Sequence, residues 1–261
     1  METDLKGKNA LVGGSSKGIG RAIATALSLR GCNITLVARS EEALLDAIRA
    51  LDTTAGQRHD FILADHSRPG ELRELIQHQL HDTTYHILIN NTGGPPAGDL
   101  LDMTLDQLEA AFRSHVVSAH LLAQLLVPGM KRSGYGRIIN IVSTSVKVPI
   151  HGLGLSNTVR AALANWAKTL ANELGPFGIT VNNILPGATN TERLQELIRL
   201  RALKTGRRQE EIENEMIHEI PLHRFGYPEE IAAAAAFLAS PQAAYISGIN
   251  LTVDGGRMPC L

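Results

Sequence analysis

A chain of 261 residues, 44% hydrophobic and 20% charged, can bury a sizeable core and still keep a cleft, and open α/β sheets of this size form one unit. Its formal net charge of −1 removes the electrostatic reason to expect nucleic acid or an acidic membrane as partner. The two cysteines, Cys32 and Cys260, stand far apart without ligand-like spacing, which excludes a disulfide framework and suits a reduced compartment.

The opening stretch METDLKGKNALV has no apolar signal-like region, and no run approaches the roughly 18 apolar residues of a membrane span, so a soluble, cytoplasmic protein is expected. Apolar runs then alternate with amphipathic ones. The pattern predicts strands at Asn9–Val12, Asn33–Ala38, Phe61–Ala64, Ile87–Asn90, Arg137–Val142, Thr180–Leu185 and Ile249–Val253. Between them it predicts helices at Ile19–Arg30, Glu41–Leu51, Glu71–Leu80, Leu105–Lys131, Leu153–Leu174 and Pro228–Ala239. Near-continuous apolar strands alternating with helices imply a doubly wound, mostly parallel seven-stranded α/β sheet in one domain spanning 1–261.

Directly after the first strand stands Gly13-Gly14-Ser15-Ser16-Lys17-Gly18-Ile19-Gly20, followed by an apolar helix. Gly14 permits a tight turn, Gly18 lets the backbone approach a pyrophosphate, and Gly20 lets helix and strand pack closely. The first-turn amides and the helix dipole then face the phosphates. The strand before and the helix after are what turn a glycine pattern into a dinucleotide site. A carboxylate at the end of the second strand would bond a ribose 2′-hydroxyl, but this chain has Ala38, Arg39 and Ser40 there. Arg39, with Lys17, can pair with a 2′-phosphate, so NADP(H) is expected over NAD(H); the alternative is that Arg39 is merely solvated.

Further along, 191–220 is a charged stretch with Leu194, Leu197, Ile198 and Leu203 at helical spacing and a break at Gly206. It follows a strand, where α/β sheets bind ligands, and reads either as a solvated helical insertion or as a mobile lid whose basic residues meet an anionic substrate group. No histidine or cysteine grouping has metal-ligand spacing, and no metal is expected.

In its order of motifs the chain resembles the short-chain dehydrogenase/reductase family, most like the 3-oxoacyl-carrier-protein reductases, over nearly its full length. The glycine loop matches the family's T-G-x-x-x-G-x-G with Gly13 in the threonine's place. Asp65 follows the third strand, Asn90-Asn91-Thr92-Gly93 resembles N-N-A-G, and Ser143 falls at the catalytic serine. Pro186-Gly187 with Thr191, Arg224–Glu230 and Ser247-Gly248 to Gly256 match the later segments. The resemblance implies hydride transfer between a nicotinamide cofactor and a carbonyl or secondary alcohol, and a homodimer or homotetramer. It implies a cofactor set of Gly14, Ser16, Lys17, Gly18, Ile19, Gly20, Arg39, Ser40, Asp65, His66, Asn91, Thr92, Gly93, Arg160, Pro186, Gly187, Thr189 and Thr191.

Three positions depart from the family. Thirteen residues beyond Ser143, where it carries Y-x-x-x-K, this chain has Ser156-Asn157-Thr158-Val159-Arg160, and the helical asparagine aligns with His115. No tyrosine lies between Tyr135 and Tyr227. A serine hydroxyl is less acidic and shorter than a phenol, and a guanidinium holds its proton at working pH, so the pair can bind what the family's pair binds without acting as it acts. His151, in PIHGLGLS, is either a general acid or an exposed loop residue, and His115 either meets the substrate region or replaces the asparagine in packing. The candidate catalytic residues are therefore Ser143, Ser156, Arg160, His115 and His151. An NADP-dependent oxidoreductase leads; a redox-inactive binding protein serving regulation or assembly, and a non-redox dehydratase or isomerase, remain open.

Overall fold

The structure, a computed structural model, describes residues 4–260. Strands β1 (Asn9–Gly13), β2 (Asn33–Ala38), β3 (Asp60–Leu63), β4 (Ile87–Asn90), β5 (Gly136–Ile141), β6 (Ile179–Pro186) and β7 (Asn250–Val253) form one sheet in the order β3-β2-β1-β4-β5-β6-β7. Every neighbouring pair is parallel, so the sheet is wholly rather than mostly parallel. The helices are α1 (Gly18–Ser28), α2 (Glu41–Arg49), α3 (Pro69–Gln79), α4 (Leu105–Phe112), α5 (Ser118–Ser133), α6 (Gly154–Leu174), α7 (Glu192–Thr205), α8 (Gln209–His218) and α9 (Pro228–Ala239).

Alternate strand residues point to opposite faces, and both faces are covered. On one face Ala10, Val12, Ile34 and Leu36 pack with Ile23 and Leu27 of α1 and Ile231 and Ala235 of α9. On the other, Leu11, Val37, Leu88 and Ile138 pack with Leu72 and Ile76 of α3, Leu122 and Leu126 of α5 and Ala171 of α6. Cys32 belongs to the first core, and burial pushes its thiol far up. The chain runs outward from β1 to β3, then returns to β4 on the other side, so the strand order reverses between β1 and β4. That reversal opens the crevice in which such sheets bind ligands.

A row of asparagines crosses the sheet. Asn90 donates to Asn140, Asn140 to Asn183 and Asn183 to Asn250, each at 2.8 Å. These residues are register partners on β4, β5, β6 and β7. Within an apolar sheet the two inner side chains, Asn140 and Asn183, each donate to one neighbour and accept from the other, and the desolvation cost of the amides is met by their own pairing.

The helix expected over Leu105–Lys131 is not continuous. At 113–117 one turn widens, and the Ser118 N–H reaches back five residues to the Arg113 carbonyl. Such a turn shifts the facing of everything beyond it and is frequent at functional sites; here it carries the buried His115. Among the described residues Leu105–Ser133 is the one stretch long and apolar enough to cross a membrane by length and composition. That departs from the expectation that no run approaches span length. Its apolar side is occupied, with Leu121, Leu122, Leu126 and Met130 buried.

The charged stretch forms α7 and α8. Leu194, Ile198 and Ala202 of α7 pack on Ile212 of α8, and Gly206, at φ 68°, ends α7 in the left-handed region at the expected break.

Candidate active site

The glycine loop leaves β1 and opens α1 at the crevice. Gly14 has φ 54°, a conformation L side chains rarely adopt. At Gly20 a Cβ would sit 2.3 Å from the Gly14 carbonyl oxygen, so only glycine lets helix and loop touch. Buried Ser15, not singled out from the sequence, accepts from the Val37 N–H at 3.0 Å and pins the loop to β2. From the next strand, Asn91 donates to the Gly13 and Gly14 carbonyls at 3.1 and 3.2 Å. The result is an open cradle of backbone amides at a helix start, fitted to a pyrophosphate.

Around it lie the other expected cofactor positions. Lys17 is exposed, extends from the start of α1 and pairs with Glu192, the first residue of α7. Arg39 is exposed beside Asp65, 3.9 Å away. Burial would raise the Asp65 carboxyl, but hydrogen bonds from Ser67 and the charges of Arg39 and Arg68 hold it below its ordinary value. Ser40 caps α2 by accepting from the Ala43 N–H. Ser16 and Ile19 are half-buried at the helix start, with Ile19 against the core.

His66 fills the space that Gly13 leaves. Its Nε2 lies 3.1 Å from where a Gly13 Cβ would be, so a threonine there would meet the imidazole. Neither His66 ring nitrogen has a partner among the described residues, and burial lowers its pKa to about 4. A buried ring with two unpaired nitrogens costs free energy unless a ligand or water answers it.

On the far side of the crevice Pro186 ends β6. The Gly187 N–H donates to the Val253 carbonyl at 2.9 Å, and Thr189 donates to the Gly187 carbonyl at 3.2 Å. Thr191 caps α7 by accepting from the Leu194 N–H, and its methyl packs against Gly18. The strand β6 segment and the glycine loop thus form two walls of one groove.

The candidate catalytic residues divide into two sets. Arg160 donates through Nε to the Ser156 hydroxyl oxygen at 3.1 Å, and through Nη1 to the carbonyls of Ile141 and Val142 at 3.0 and 2.6 Å. Among the described residues no carboxylate pairs with it; burial, with the nearby Arg193 charge, lowers its pKa to about 10. Ser143 follows Val142 and accepts from the Ser145 N–H at 3.1 Å. Both serine oxygens therefore already accept an N–H, which leaves each O–H to donate elsewhere.

His115 hydrogen-bonds Thr92 through Nδ1 at 2.8 Å. Burial, then the charge of Arg160, lowers its pKa to about 3. His151 is exposed on the turn before α6 and lines a cavity of about 220 Å³ with Asp99, Leu100 and Asn157. It makes no side-chain hydrogen bond among the described residues.

Arg193 is one of several basic residues in the charged stretch that the sequence does not single out. From the first turn of α7 it donates through Nη2 to the Pro95 carbonyl at 2.7 Å and pairs on its other arm with Glu196. Lys204 of the same helix reaches within 3.7 Å of Asp99. Helix α7 is therefore tied to the glycine loop by Glu192 and to the 91–99 loop by Arg193 and Lys204. Gly93 is exposed at the start of that loop.

Residues 14–257 match a family model described as Enoyl-(Acyl carrier protein) reductase. D-beta-hydroxybutyrate dehydrogenase of Cupriavidus necator is 34% identical to the chain, covering 97% of it and 98% of the relative. NADPH-dependent reductase BacG of Bacillus subtilis is 32% identical over 96% of this chain and 98% of that protein. Among solved structures, L-sorbose reductase of Gluconobacter frateurii, complexed with NADPH and L-sorbose, superposes with a TM-score of 0.92 at 32% identity, each chain covered in full.

Proposed function

The chain belongs to the short-chain dehydrogenase/reductase family, and on that premise we propose that it is an NADP(H)-dependent oxidoreductase of a carbonyl or secondary alcohol, with Ser156 and Arg160 in place of the family's tyrosine and lysine. Its nicotinamide cofactor, when bound, donates or accepts the hydride. The chain's own residues do the rest.

The amides after Gly14 and at the start of α1 would hold the pyrophosphate, Lys17 and Arg39 would meet the 2′-phosphate, and Asp65 would meet the adenine side. Asn91, Thr92 and Gly93, with Pro186, Gly187, Thr189 and Thr191, would hold the nicotinamide half. Arg160 offers its unshared Nη2 to the neighbouring ribose.

The observation that carries the catalytic reading is the Arg160–Ser156 hydrogen bond. A cationic donor on the hydroxyl oxygen orients the Ser156 proton away from Arg160 and makes it more acidic. Ser143 is held the same way by Ser145. Two O–H groups with their acceptor sides occupied can both donate to an oxygen on which negative charge develops, which is electrostatic stabilisation of the oxyanion type. In the reducing direction Ser156 yields its proton to the alkoxide and regains it from solvent. His115, neutral at ordinary pH, orients Thr92, and His151 stays outside the chemistry.

A homodimer or homotetramer in the cytoplasm completes the reading. Ala119, Leu122, Leu126, Ala164 and Ala171 are already buried within one chain, whereas Ala161 is exposed on α6 and free to meet a second copy.

The test is a panel of carbonyl compounds with purified protein and NADPH. Oxidation of NADPH with alcohol formed supports the proposal. NADPH binding without turnover on any carbonyl favours a regulatory or assembly role for which the missing phenol argues. Product formed without cofactor oxidation favours a dehydratase or isomerase.

A further inference from the structure

Both cations that would meet a 2′-phosphate already have a carboxylate, and the two carboxylates come from different places. Asp65, beside Arg39, follows β3 in the same half of the sheet. Glu192, bonded to the Lys17 ammonium, is the first residue of α7 and reaches the glycine loop across 175 residues of sequence. The same approach brings the Thr191 methyl to 3.4 Å from where a Gly18 Cβ would lie. Helix α7 therefore begins in contact with the glycine loop at two adjacent residues, Lys17 and Gly18.

Glu192 does not depend on Lys17 for its place. A carboxylate in the first turn of a helix is favoured by the dipole, and Thr191 caps the same turn by accepting from the Leu194 N–H at 3.4 Å. Lys17 has no second acidic partner among the described residues. Both side chains are exposed, and an exposed pair is weak. A phosphate monoester carries close to two negative charges near neutral pH and draws an ammonium more strongly than one carboxylate does.

We propose that Glu192 is a specificity-determining residue of the cofactor site: it competes with the 2′-phosphate for Lys17, so that NADP(H) breaks the link between α7 and the glycine loop and NAD(H) leaves it in place. This rests on the reading of Lys17 as a partner of the 2′-phosphate. The competition lowers the affinity for NADP(H) and leaves that for NAD(H) alone. Linkage makes the effect reciprocal: whatever draws the start of α7 onto the glycine loop weakens NADP(H) by the same factor. Arg193 and Lys204 hold α7 to the 91–99 loop with either cofactor, so the difference is confined to the start of the helix.

The experiment measures dissociation constants of NADPH and NADH by fluorescence titration in the native protein, Glu192→Gln, Glu192→Asp, Lys17→Met and the double variant Lys17→Met with Glu192→Gln. Glu192→Gln is expected to tighten NADPH by about three- to fivefold, the scale of an exposed ion pair, and to leave NADH unchanged. High salt shrinks that gain. Glu192→Asp, one methylene shorter but still charged, falls between native and Glu192→Gln. In Lys17→Met the second substitution has no effect, since no ammonium remains to compete for. Hydrogen exchange in the first turns of α7 is faster with NADP+ than with NAD+ in the native protein, and the two cofactors give equal exchange in Glu192→Gln.

Equal tightening of NADPH and NADH in Glu192→Gln overturns the inference, because the carboxylate then acts on the pyrophosphate that both share. NADPH affinity unchanged or weakened in Glu192→Gln overturns it as well. So does a gain that persists in Lys17→Met, which is charge repulsion without competition. Equal exchange of α7 with both cofactors in the native protein overturns the release of the helix. A native protein that binds NADH more tightly than NADPH defeats the NADP(H) reading, while an NADPH-specific gain in Glu192→Gln still supports the competition. Binding of neither cofactor defeats both.

Discussion

The Nε of Arg160 donates to the hydroxyl oxygen of Ser156 across one helical turn, while its Nη1 holds the last carbonyls of the β5 segment. One side chain thus joins the strand end that precedes Ser143 to the helix that carries Ser156. Ser156→Ala removes a donor to the developing alkoxide and is expected to lower kcat about a hundredfold. NADPH affinity should change little, since Ser156 is placed at the substrate; steady-state kinetics with a parallel fluorescence titration checks both. Arg160→Met strips the Ile141 and Val142 carbonyls of their donor and should also destabilise the fold by about 1–3 kcal/mol, read by urea unfolding.

In the proposed reading a preference for NADPH rests on exposed charges. Arg39 and Lys17 each have only a surface carboxylate to lose, Asp65 and Glu192 respectively, and such exposed pairs are worth little. A 2′-phosphate displaces them readily. Arg39→Ala is expected to weaken NADPH by about tenfold and NADH hardly at all, measured as the ratio of dissociation constants. A native protein that binds NADH more tightly than NADPH would refute the assignment.

Acid should unfold this protein through its histidines. Burial depresses His66 from its ordinary 6.5 to about 4 and His115 to about 3. Between those values and 6.5 the unfolded chain binds protons that the folded chain refuses, so stability rises with pH there. The contribution is present in full above pH 6.5 and is lost as pH falls towards 4 and then 3. Each group is worth on the order of 3–5 kcal/mol at the extreme. His115→Asn should flatten the fall in stability over that range, followed by denaturant melts at several pH values.

The asparagine row gives a separate expectation. Asn140 is fully buried and sits between two partners, so Asn140→Leu orphans an amide on each side. A cost of about 2–4 kcal/mol is expected, larger than the same change at terminal Asn250, because two buried groups are left unpaired instead of one. Chemical denaturation of the two variants compares them directly.

The strands, the glycine loop and the break at Gly206 could be read from the chain because each has a local cause: apolar runs, a turn that needs positive φ, a helix end that needs a left-handed residue. The widened turn at Arg113–Val117 could not. One extra residue in an apolar helix leaves no mark on its composition, yet it decides where His115 points. Arg193 was one of several arginines in a charged stretch, and only its contact with Pro95, far away in sequence, singles it out. The His66–Gly13 relation was half visible. Glycine in the threonine's place is plain in the sequence, but the side chain that fills the gap comes from beyond the end of another strand. The seven strands were expected to be mostly parallel, and all of them are.

The row of asparagines separates what can drift in this protein from what cannot. Asn90 immediately precedes Asn91, and Asn183 lies three residues before Pro186, so the phase in which two segments lining the groove leave the sheet is set by side chains locked to one another inside it. A slip of one residue in any of these strands would turn a paired amide out of its row. Ser156 and Arg160 belong to no such lock: they ride on a helix, joined to each other and to two backbone carbonyls. Substitution at Ser156 leaves the alignment of the sheet untouched, so the reacting end of the site can vary while the asparagine row keeps the groove in register.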